Sequence, residues 1–170
     1  MSDTAHMVHS AQTALDVAIS IEQRGREFYL KAKDQAQDPK LLSLLAFLAA
    51  EEERHLGLYR QLLDQVSGGA FQEVELVGGY GKFIQALSDE VLKPLKIPEP
   101  FSNEACLEMA LRFEKDTLMF FTEIMAFMRE DALKVVEQIC GEEKNHILRL
   151  IDYRSQQEKK PSREKIGTYT

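Results

Sequence analysis

The sequence predicts an all-α protein, a four-helix bundle in which a long crossover connects the second helix to the third. Four long segments contain few prolines and glycines, and their apolar residues recur at the three- and four-residue spacing of a helix face. A short loop, a long connection and a second short loop join these segments, which is a standard connectivity of four-helix bundles. The second pair of segments also repeats residues of the first pair. We therefore expect almost no β-strand.

The first two helices are predicted over about residues 10–37 and 39–67. Asp38 and Pro39 separate them, because proline fits the first turn of a helix and disfavours helical conformation in the residue before it. The Ser-Gly-Gly run at 67–69 is expected to end the second helix, since glycine is common just past a helix C-terminus.

The crossover is expected at residues 68–102. Its part at 74–77 is loosely strand-like, the glycine-rich run at 78–81 is predicted to form a turn, and one short helix is predicted at about 82–92. Three prolines punctuate the end of this segment, which separates it from the helix that follows.

The third helix is predicted over about residues 103–128, with Ser102 or Asn103 as its N-cap. A break near Arg129 leads to a fourth helix over about 131–157. The four helices and the crossover are expected to form a single domain.

Length and composition favour one globular domain over residues 1–158, followed by a disordered tail at 159–170. The chain has 170 residues, of which 44% are hydrophobic and 29% charged, and this balance excludes fibrous and disordered classes. The longest apolar stretch, at 41–50, is well short of the roughly 20 residues that a membrane-spanning helix needs. The N-terminus also lacks the basic and apolar regions of a secretory signal. We therefore expect a cytoplasmic protein without a membrane partner.

The charge balance and the cysteines exclude two further kinds of site. With 28 acidic and 21 basic residues the net charge is −7, and no cluster of basic residues occurs, which argues against nucleic acid as a partner. Cys106 and Cys140 form no C-x-x-C pair, which excludes a zinc ribbon or a rubredoxin-type iron site within this chain.

Each of the four long predicted helices carries a glutamate in the middle of its apolar stripe, and two of them add a histidine three residues later. The glutamates are Glu22, Glu52, Glu114 and Glu143, and the histidines are His55 and His146. Burying one unpaired carboxylate costs several kcal/mol, and Arg26 is the one basic residue on these stripes. Two divalent cations would balance four carboxylates. Such residues are the ligand set of di-iron and di-manganese carboxylate bundles.

The spacing of these residues is more specific than any single motif. The two Glu-x-x-His motifs are offset by 91 residues, and the two remaining glutamates by 92. A single acid three residues before a histidine is common by chance, and Asp3-x-x-His6 in the N-terminal tail has no apolar stripe around it. The alternative is that the four glutamates are solvated, on helices whose faces have been misassigned.

Three other residues are candidates for contacts just outside the metal ligands. Tyr29 and Tyr59 lie two turns beyond ligands, and they either act as hydrogen-bond donors or redox-accessible phenols or pack in the core. Arg26 either pairs with a ligand carboxylate or extends to solvent. Cys140 is interpreted as a small core residue rather than a redox thiol.

A longer pattern contains these residues: Ala18-Ile19-x-x-Glu22-x5-Phe28-Tyr29, then Glu51-Glu52-x-x-His55, then Glu114, then Glu143-x-x-His146. Over about residues 11–157 this pattern resembles the rubrerythrin branch of the ferritin-like superfamily. The resemblance implies a left-handed ferritin-like four-helix bundle with a non-haem di-iron centre, in which two iron ions are the cofactor and the centre itself is the catalytic group. Manganese or a mixed metal pair stays open. The implied ligand division is Glu52 and Glu143 as bridges, Glu22 with His55 on one ion, and Glu114 with His146 on the other.

The chain departs from the pattern of this family at two points. With this length and no C-x-x-C pair, it is not expected to contain the rubredoxin domain that supplies electrons in rubrerythrins proper, so the resemblance implies a separate electron-donor protein. Rubrerythrins also carry a further glutamate one turn after the third-helix ligand, where this chain has Thr117. That glutamate is implicated in the peroxidase cycle of the family, and Thr117 is therefore a fourth candidate neighbour of the metal ions.

The leading hypothesis is a rubrerythrin-like di-iron oxidoreductase that reduces hydrogen peroxide or dioxygen and acts in oxidative stress. The alternative is a ferroxidase-type protein for iron handling or storage. A third hypothesis is a metal-free helical interaction module, which the buried glutamates disfavour. We also expect a homo-oligomer, with a dimer favoured.

Overall fold

The computed structural model describes residues 11–65 and 78–159. They form five α-helices and one 3-10 turn: α1 Ala11–Gln35, α2 Pro39–Asp64, α3 Gly78–Val91, α4 Asn103–Ile124, the turn Met125–Phe127, and α5 Glu130–Glu158. No strand occurs in the described residues, and the predicted all-α class is confirmed. None of the described helices is long and apolar enough to span a membrane.

Four long helices form the bundle. Helices α1, α2, α4 and α5 contain between 22 and 29 residues, which corresponds to lengths of about 33 to 44 Å. Helix α1 packs along α2, α4 packs along α5, and the two hairpins face each other through contacts of α1 with α4 and of α2 with α5. Helix α3 packs on α4. The predicted bundle, with its long crossover between the second and third long helices, is confirmed.

Local sequence signals explain where two of the long helices begin. The Asp38 side chain caps α2 by accepting hydrogen bonds from two backbone N–H groups of the first turn, at 2.8 and 3.2 Å, and Pro39 follows it. The Ser102 side chain caps α4 by accepting a hydrogen bond from the backbone N–H of Ala105 at 3.1 Å. These bonds satisfy N–H groups that have no partner within the helix.

The crossover differs from the prediction at its glycine-rich run. Residues 78–81 form the first turn of α3, so the predicted turn is wrong. Ile84, Leu87 and Val91 are buried on one face of α3, and this packing stabilises the helix in spite of the low helix propensity of glycine. The predicted stop of α2 and the strand-like segment both fall within 66–77, outside the described residues.

The other boundaries differ from the prediction by a few residues. Helix α2 ends at Asp64 rather than 67, and α4 ends at Ile124 rather than 128, where the 3-10 turn continues it. The predicted break between the last two helices coincides with Glu130, whose φ of 47° lies outside the right-handed helical region. All but the first residue of the predicted tail lies outside the described residues.

Two buried apolar clusters fill the bundle, one toward each end. On α1 one cluster extends to Ile21 and the other begins at Phe28, and on α2 the change falls between Ala49 and Tyr59. Helices α4 and α5 show the same change near their midpoints. Buried polar side chains occupy the gap on each helix, so the fold places a polar cluster midway along the bundle.

Candidate metal centre

Six ionisable side chains fill the space between the two apolar clusters. Each is at most 1% exposed: Glu22 from α1, Glu52 and His55 from α2, Glu114 from α4, and Glu143 and His146 from α5. Residues three apart share one face of an α-helix, so both members of each Glu-x-x-His pair point into the bundle. The structure therefore brings together all six residues that the sequence predicted as metal ligands.

Both imidazoles face the carboxylates through Nδ1. His55 Nδ1 lies 2.9 Å from Glu143 Oε1 and 3.5 Å from Glu22 Oε1. His146 Nδ1 lies 3.0 Å from Glu143 Oε2 and 3.6 Å from Glu114 Oε2. The two rings stack with their centroids 5.6 Å apart. Glu143 therefore lies between the two histidines, with one oxygen facing each.

The donor atoms divide into two overlapping sets. The sets are Glu22, Glu52, His55 and Glu143, and Glu52, Glu114, Glu143 and His146. Within each set the ligand atoms all lie within 4.8 Å of one another. Because Glu52 and Glu143 belong to both sets, two cations at these positions would share two carboxylates, as the sequence resemblance implied.

Hydrogen bonds within the protein leave part of this cluster unsatisfied. Among the described residues neither oxygen of Glu22 or Glu52 has a hydrogen-bond partner, and the ion pairs of the four carboxylates there are with histidines. A buried carboxylate without compensation costs several kcal/mol. Carboxylate and imidazole donors suit first-row divalent cations such as iron and manganese. The residues present therefore fit a pair of such ions.

Burial and mutual repulsion raise the proton affinity of most of these carboxylates. Burial, with repulsion from neighbouring carboxylates, raises the pKa of Glu22 and of Glu52 well above 4.5 and the pKa of Glu114 to about 8. For Glu143, burial acts in the same direction, but the imidazoles of His146 and His55 outweigh it and hold its pKa well below the usual range. Without metal, the cluster holds protons that bound cations would replace.

Gly25, one turn after Glu22 on α1, makes room for the cluster. A Cβ at this position would lie 2.7 Å from Cε1 of Phe113 and 3.2 Å from Cδ of Glu52. Both neighbours are buried, so the close approach of α1 to α2 and α4 requires glycine here. In the sequence, Gly25 lies three residues after Glu22 and therefore on the same apolar stripe. A glycine on the apolar face of a helix is the signal that could have identified it.

The outer nitrogen of His55 is held by a charged pair. His55 Nε2 lies 2.9 Å from Glu142 Oε2, and Arg54 Nη2 donates to the same oxygen at 2.6 Å. Arg54 also donates to Glu51 at 2.8 Å. A carboxylate on the second nitrogen fixes the tautomer and orientation of a metal-binding histidine. Glu51 and Glu142 each directly precede a predicted ligand, which turns them about 100° away from the ligand face of the helix, and no sequence pattern indicates Arg54.

Tyr29 and Tyr59 are both fully buried but make different contacts. Tyr29 donates a hydrogen bond from its hydroxyl to Glu114 Oε1, which matches the hydrogen-bond alternative of the sequence analysis. Tyr59 packs against Phe121 with ring centroids 5.1 Å apart, and its hydroxyl has no hydrogen-bond partner among the described residues.

The remaining candidates lie at different depths. Arg26 forms an ion pair with Glu53 at 2.5 Å, and both side chains reach the surface, so Arg26 does not pair with a ligand carboxylate. Thr117 is buried, and its hydroxyl has no partner in the part of the chain that the structure describes. Burial, followed by the charge of Glu143, raises the pKa of Cys140 to about 11. Its thiol therefore stays protonated, as expected of a core residue.

Comparison with known proteins identifies the family of this chain. The family model for rubrerythrin matches residues 13–153, a range that covers more than half of the chain and contains all six buried glutamates and histidines. Neither the curated proteins nor the solved structures gave a match. On the match to the family model, the chain belongs to the rubrerythrin family.

Proposed function

We propose that this protein is a non-haem di-iron oxidoreductase that reduces hydrogen peroxide or dioxygen with electrons from a separate donor protein. The observation that carries the proposal is the buried set of four carboxylates and two imidazoles, which forms two overlapping groups of donor atoms. Carboxylate and imidazole suit iron or manganese, and membership of the rubrerythrin family favours iron. Two Fe(II) ions bound there would together supply the two electrons that reduce one peroxide molecule to water.

The side chains of the cluster bind and orient the ions and keep bulk water away. Glu52 and Glu143 belong to both donor groups and would bridge the ions. Because the six side chains are at most 1% exposed, solvent does not compete for their ligand atoms. The apolar clusters on either side restrict the rotamers of the carboxylates, so the donor atoms stay close to their binding positions.

Tyr29 positions one of the proposed ligands. Its hydroxyl donates to Glu114 Oε1, and burial, together with the charge of Glu114, raises the pKa of Tyr29 well above 10. The phenol therefore keeps its proton and remains a donor at neutral pH. With one oxygen held by Tyr29, Glu114 presents its other oxygen to the side of His146, which lies 3.6 Å away.

One observation favours iron oxidation and handling as a second candidate function. Thr117 is buried at the position where the family pattern carries a further glutamate. The described residues therefore offer six ligands for two ions, without the additional carboxylate that is implicated in the peroxidase cycle. Such a set can bind Fe(II) while dioxygen or peroxide accepts the electrons and oxidises it, and further rounds then depend on release of Fe(III).

Anaerobic loading with Fe(II), followed by parallel exposure to hydrogen peroxide and dioxygen, tests the proposal. We expect two iron ions per chain, since six side chains can bind two ions when both ions share two of the carboxylates. With catalytic reductant, the protein should consume oxidant repeatedly and retain its iron. A single round of oxidation with release of Fe(III) would favour the second candidate. Iron content near zero would refute both and favour a metal-free helical module.

A matched pair of variants distinguishes loss of a buried carboxylate of the cluster from loss of any negative charge on α2. Glu52→Gln removes a carboxylate that belongs to both donor groups, and Glu53→Gln removes its exposed neighbour. We expect Glu52→Gln to lose iron and activity while Glu53→Gln retains both. Equal iron content in the two variants would show that the buried carboxylate does not bind the metal.

A further inference from the structure

A second group of metal-binding side chains lies outside the buried centre. Glu51 and Glu142, which directly precede the two bridging glutamates in sequence, approach the outer edge of His55. Their ligand atoms and one nitrogen of His55 all lie within 4.8 Å of one another. Each of the two carboxylate side chains is 24% exposed, whereas the buried centre is closed to solvent.

A cationic side chain already occupies the middle of this group. Arg54 Nη2 lies 2.8 Å from Glu51 Oε2, 2.6 Å from Glu142 Oε2 and 3.3 Å from His55 Nε2. One positively charged nitrogen is therefore surrounded by atoms of the same three residues that would coordinate a cation. The Arg54 side chain is 38% exposed, so it can move into solvent without leaving a cavity in the core.

The outer edge of the second imidazole borders the same region. A surface groove of about 540 Å³ is lined by Glu51, Glu142 and His146, among others. His146 is 1% exposed, and because its Nδ1 faces Glu143, its Nε2 points away from the carboxylates. This Nε2 has no hydrogen-bond partner among the described residues. The groove thus connects two partly exposed carboxylates with an unpartnered ring nitrogen of the buried centre.

We infer that Glu51, Glu142 and the outer edge of His55 form a loading site for divalent transition-metal cations, from which a cation that displaces Arg54 passes into the buried centre. Two carboxylates and an imidazole suit Fe(II), Mn(II) or Co(II), and water can complete the shell because the site is partly exposed. Carboxylates at the mouth of a groove also raise the local concentration of cations. The outer site itself requires only these side chains, whereas its role in loading rests on the proposed function.

The chemistry of His55 makes occupation of the outer site temporary. A neutral imidazole carries one proton and offers one lone pair, at Nδ1 or at Nε2. Nδ1 faces Glu143 and Glu22 in the buried centre, and Nε2 faces Glu142 and Arg54. When Nδ1 binds a cation in the buried centre, Nε2 carries the proton and donates it in a hydrogen bond to Glu142. Arg54 can then return to its position between Glu51 and Glu142. His55 therefore serves the outer cation or the inner cation, but not both.

Stopped-flow loading of the metal-free protein with Co(II), followed by visible absorbance, tests this inference. Glu51→Gln removes one outer ligand and leaves all six inner residues in place, and Glu53→Gln is the matched control on the exposed neighbour. Loss of such an outer contact typically lowers metal affinity by about tenfold or more. At low Co(II) we therefore expect Glu51→Gln to load about tenfold more slowly than wild type, to the same final absorbance. Glu53→Gln should load like wild type.

Arg54→Gln provides the opposite perturbation, because it removes the competing cation but leaves the three outer ligands. It should load Co(II) faster than wild type. Equal loading rates for Glu51→Gln and Glu53→Gln, or slower loading by Arg54→Gln, would overturn the loading role.

Failure of the proposed function is distinguishable from failure of the outer site. Binding of fewer than two Co(II) ions by the wild-type protein would refute the dinuclear centre. In that case, Mn(II) binding measured by electron paramagnetic resonance tests whether the outer site exists. We expect weaker Mn(II) binding by Glu51→Gln than by Glu53→Gln. Equal binding by the two variants would overturn the outer site.

Discussion

Replacing Gly25 with alanine should disturb both packing and metal binding at the buried centre. The added Cβ would lie 2.7 Å from Cε1 and 3.0 Å from Cζ of Phe113, and 3.2 Å from Cδ of Glu52. Phe113 is 5% exposed and Glu52 is 1% exposed, so neither side chain can move aside into solvent. Overpacking of a core costs about 1–3 kcal/mol. Because the carboxylate must shift as well, the affinity of the centre for metal should also fall.

Two other glycines provide matched controls for this substitution. Gly57 lies on α2 and Gly141 on α5, and apart from the neighbouring backbone of its own helix a Cβ at either position would meet nothing within 4 Å. Alanine there should stabilise the protein by up to about 1 kcal/mol through helix propensity alone. Gly25→Ala should therefore be less stable than either control by about 1–3 kcal/mol in the free energy of unfolding.

Urea unfolding of the metal-free proteins measures these differences, and titration with Co(II) measures the affinity of the centre. A Gly25→Ala protein that matches Gly57→Ala in urea midpoint and binds Co(II) like wild type would refute this role of Gly25. Loss of stability with unchanged Co(II) affinity would show that Phe113 moves and that Glu52 does not, which would limit the role of Gly25 to packing.

Three further predictions address the ligands, the metal-free state and the peroxidase question. His146→Ala should lower metal affinity by at least about tenfold and retain the helical circular dichroism of the metal-free protein; loss of that signal would show a mainly structural role. In the presence of a metal chelator, the free energy of unfolding should fall by more than about 1 kcal/mol as pH rises from 4.5 to about 8. The reason is that burial raises the pKa values of Glu22, Glu52 and Glu114, so the folded state binds more protons than the unfolded chain. Burial lowers the pKa of both histidines, but contacts with neighbouring carboxylates outweigh it and raise the pKa of His55 to about 9 and of His146 to about 10, which acts in the same direction above 6.5. Urea midpoints that increase over this range would contradict the prediction. Thr117→Glu should raise the ratio of the peroxide to the dioxygen reoxidation rate several-fold in stopped-flow measurements, since a carboxylate there lies one turn from Glu114; an unchanged ratio in a folded, fully metallated variant would oppose it.

Most of the fold follows from local signals in the sequence. The Asp38-Pro39 boundary and the N-cap at Ser102 depend on hydrogen bonds within one helical turn, and the structure shows those bonds. The start of α3 could not be predicted in this way. Its glycines have a low intrinsic preference for helix, and only burial of a face against α4 makes helix the stable conformation.

The candidate site was predictable for a different reason. Glutamates on apolar stripes, repeated at offsets of 91 and 92 residues, indicate a shared centre before any contact is known, and the structure brings these side chains together. The spacing of residues along a helix does not predict which partner a long, flexible side chain will contact. Arg26 lies on a core stripe by spacing but pairs with Glu53 at the surface, and Arg54 lies off the stripe but contacts His55.

The internal repeat predicts a symmetric centre, and single substitutions explain where the symmetry ends. Arg54 and Asn145 occupy equivalent positions in the two Glu-Glu-x-x-His motifs. The long, charged side chain of Arg54 joins Glu51 to Glu142 and thereby holds the outer nitrogen of His55. The shorter, uncharged Asn145 lines the groove instead, and in the described structure the outer nitrogen of the second histidine has no partner. The spacing of the repeat therefore determines which donor atoms meet, whereas the reach and charge of one side chain determine how each imidazole is held.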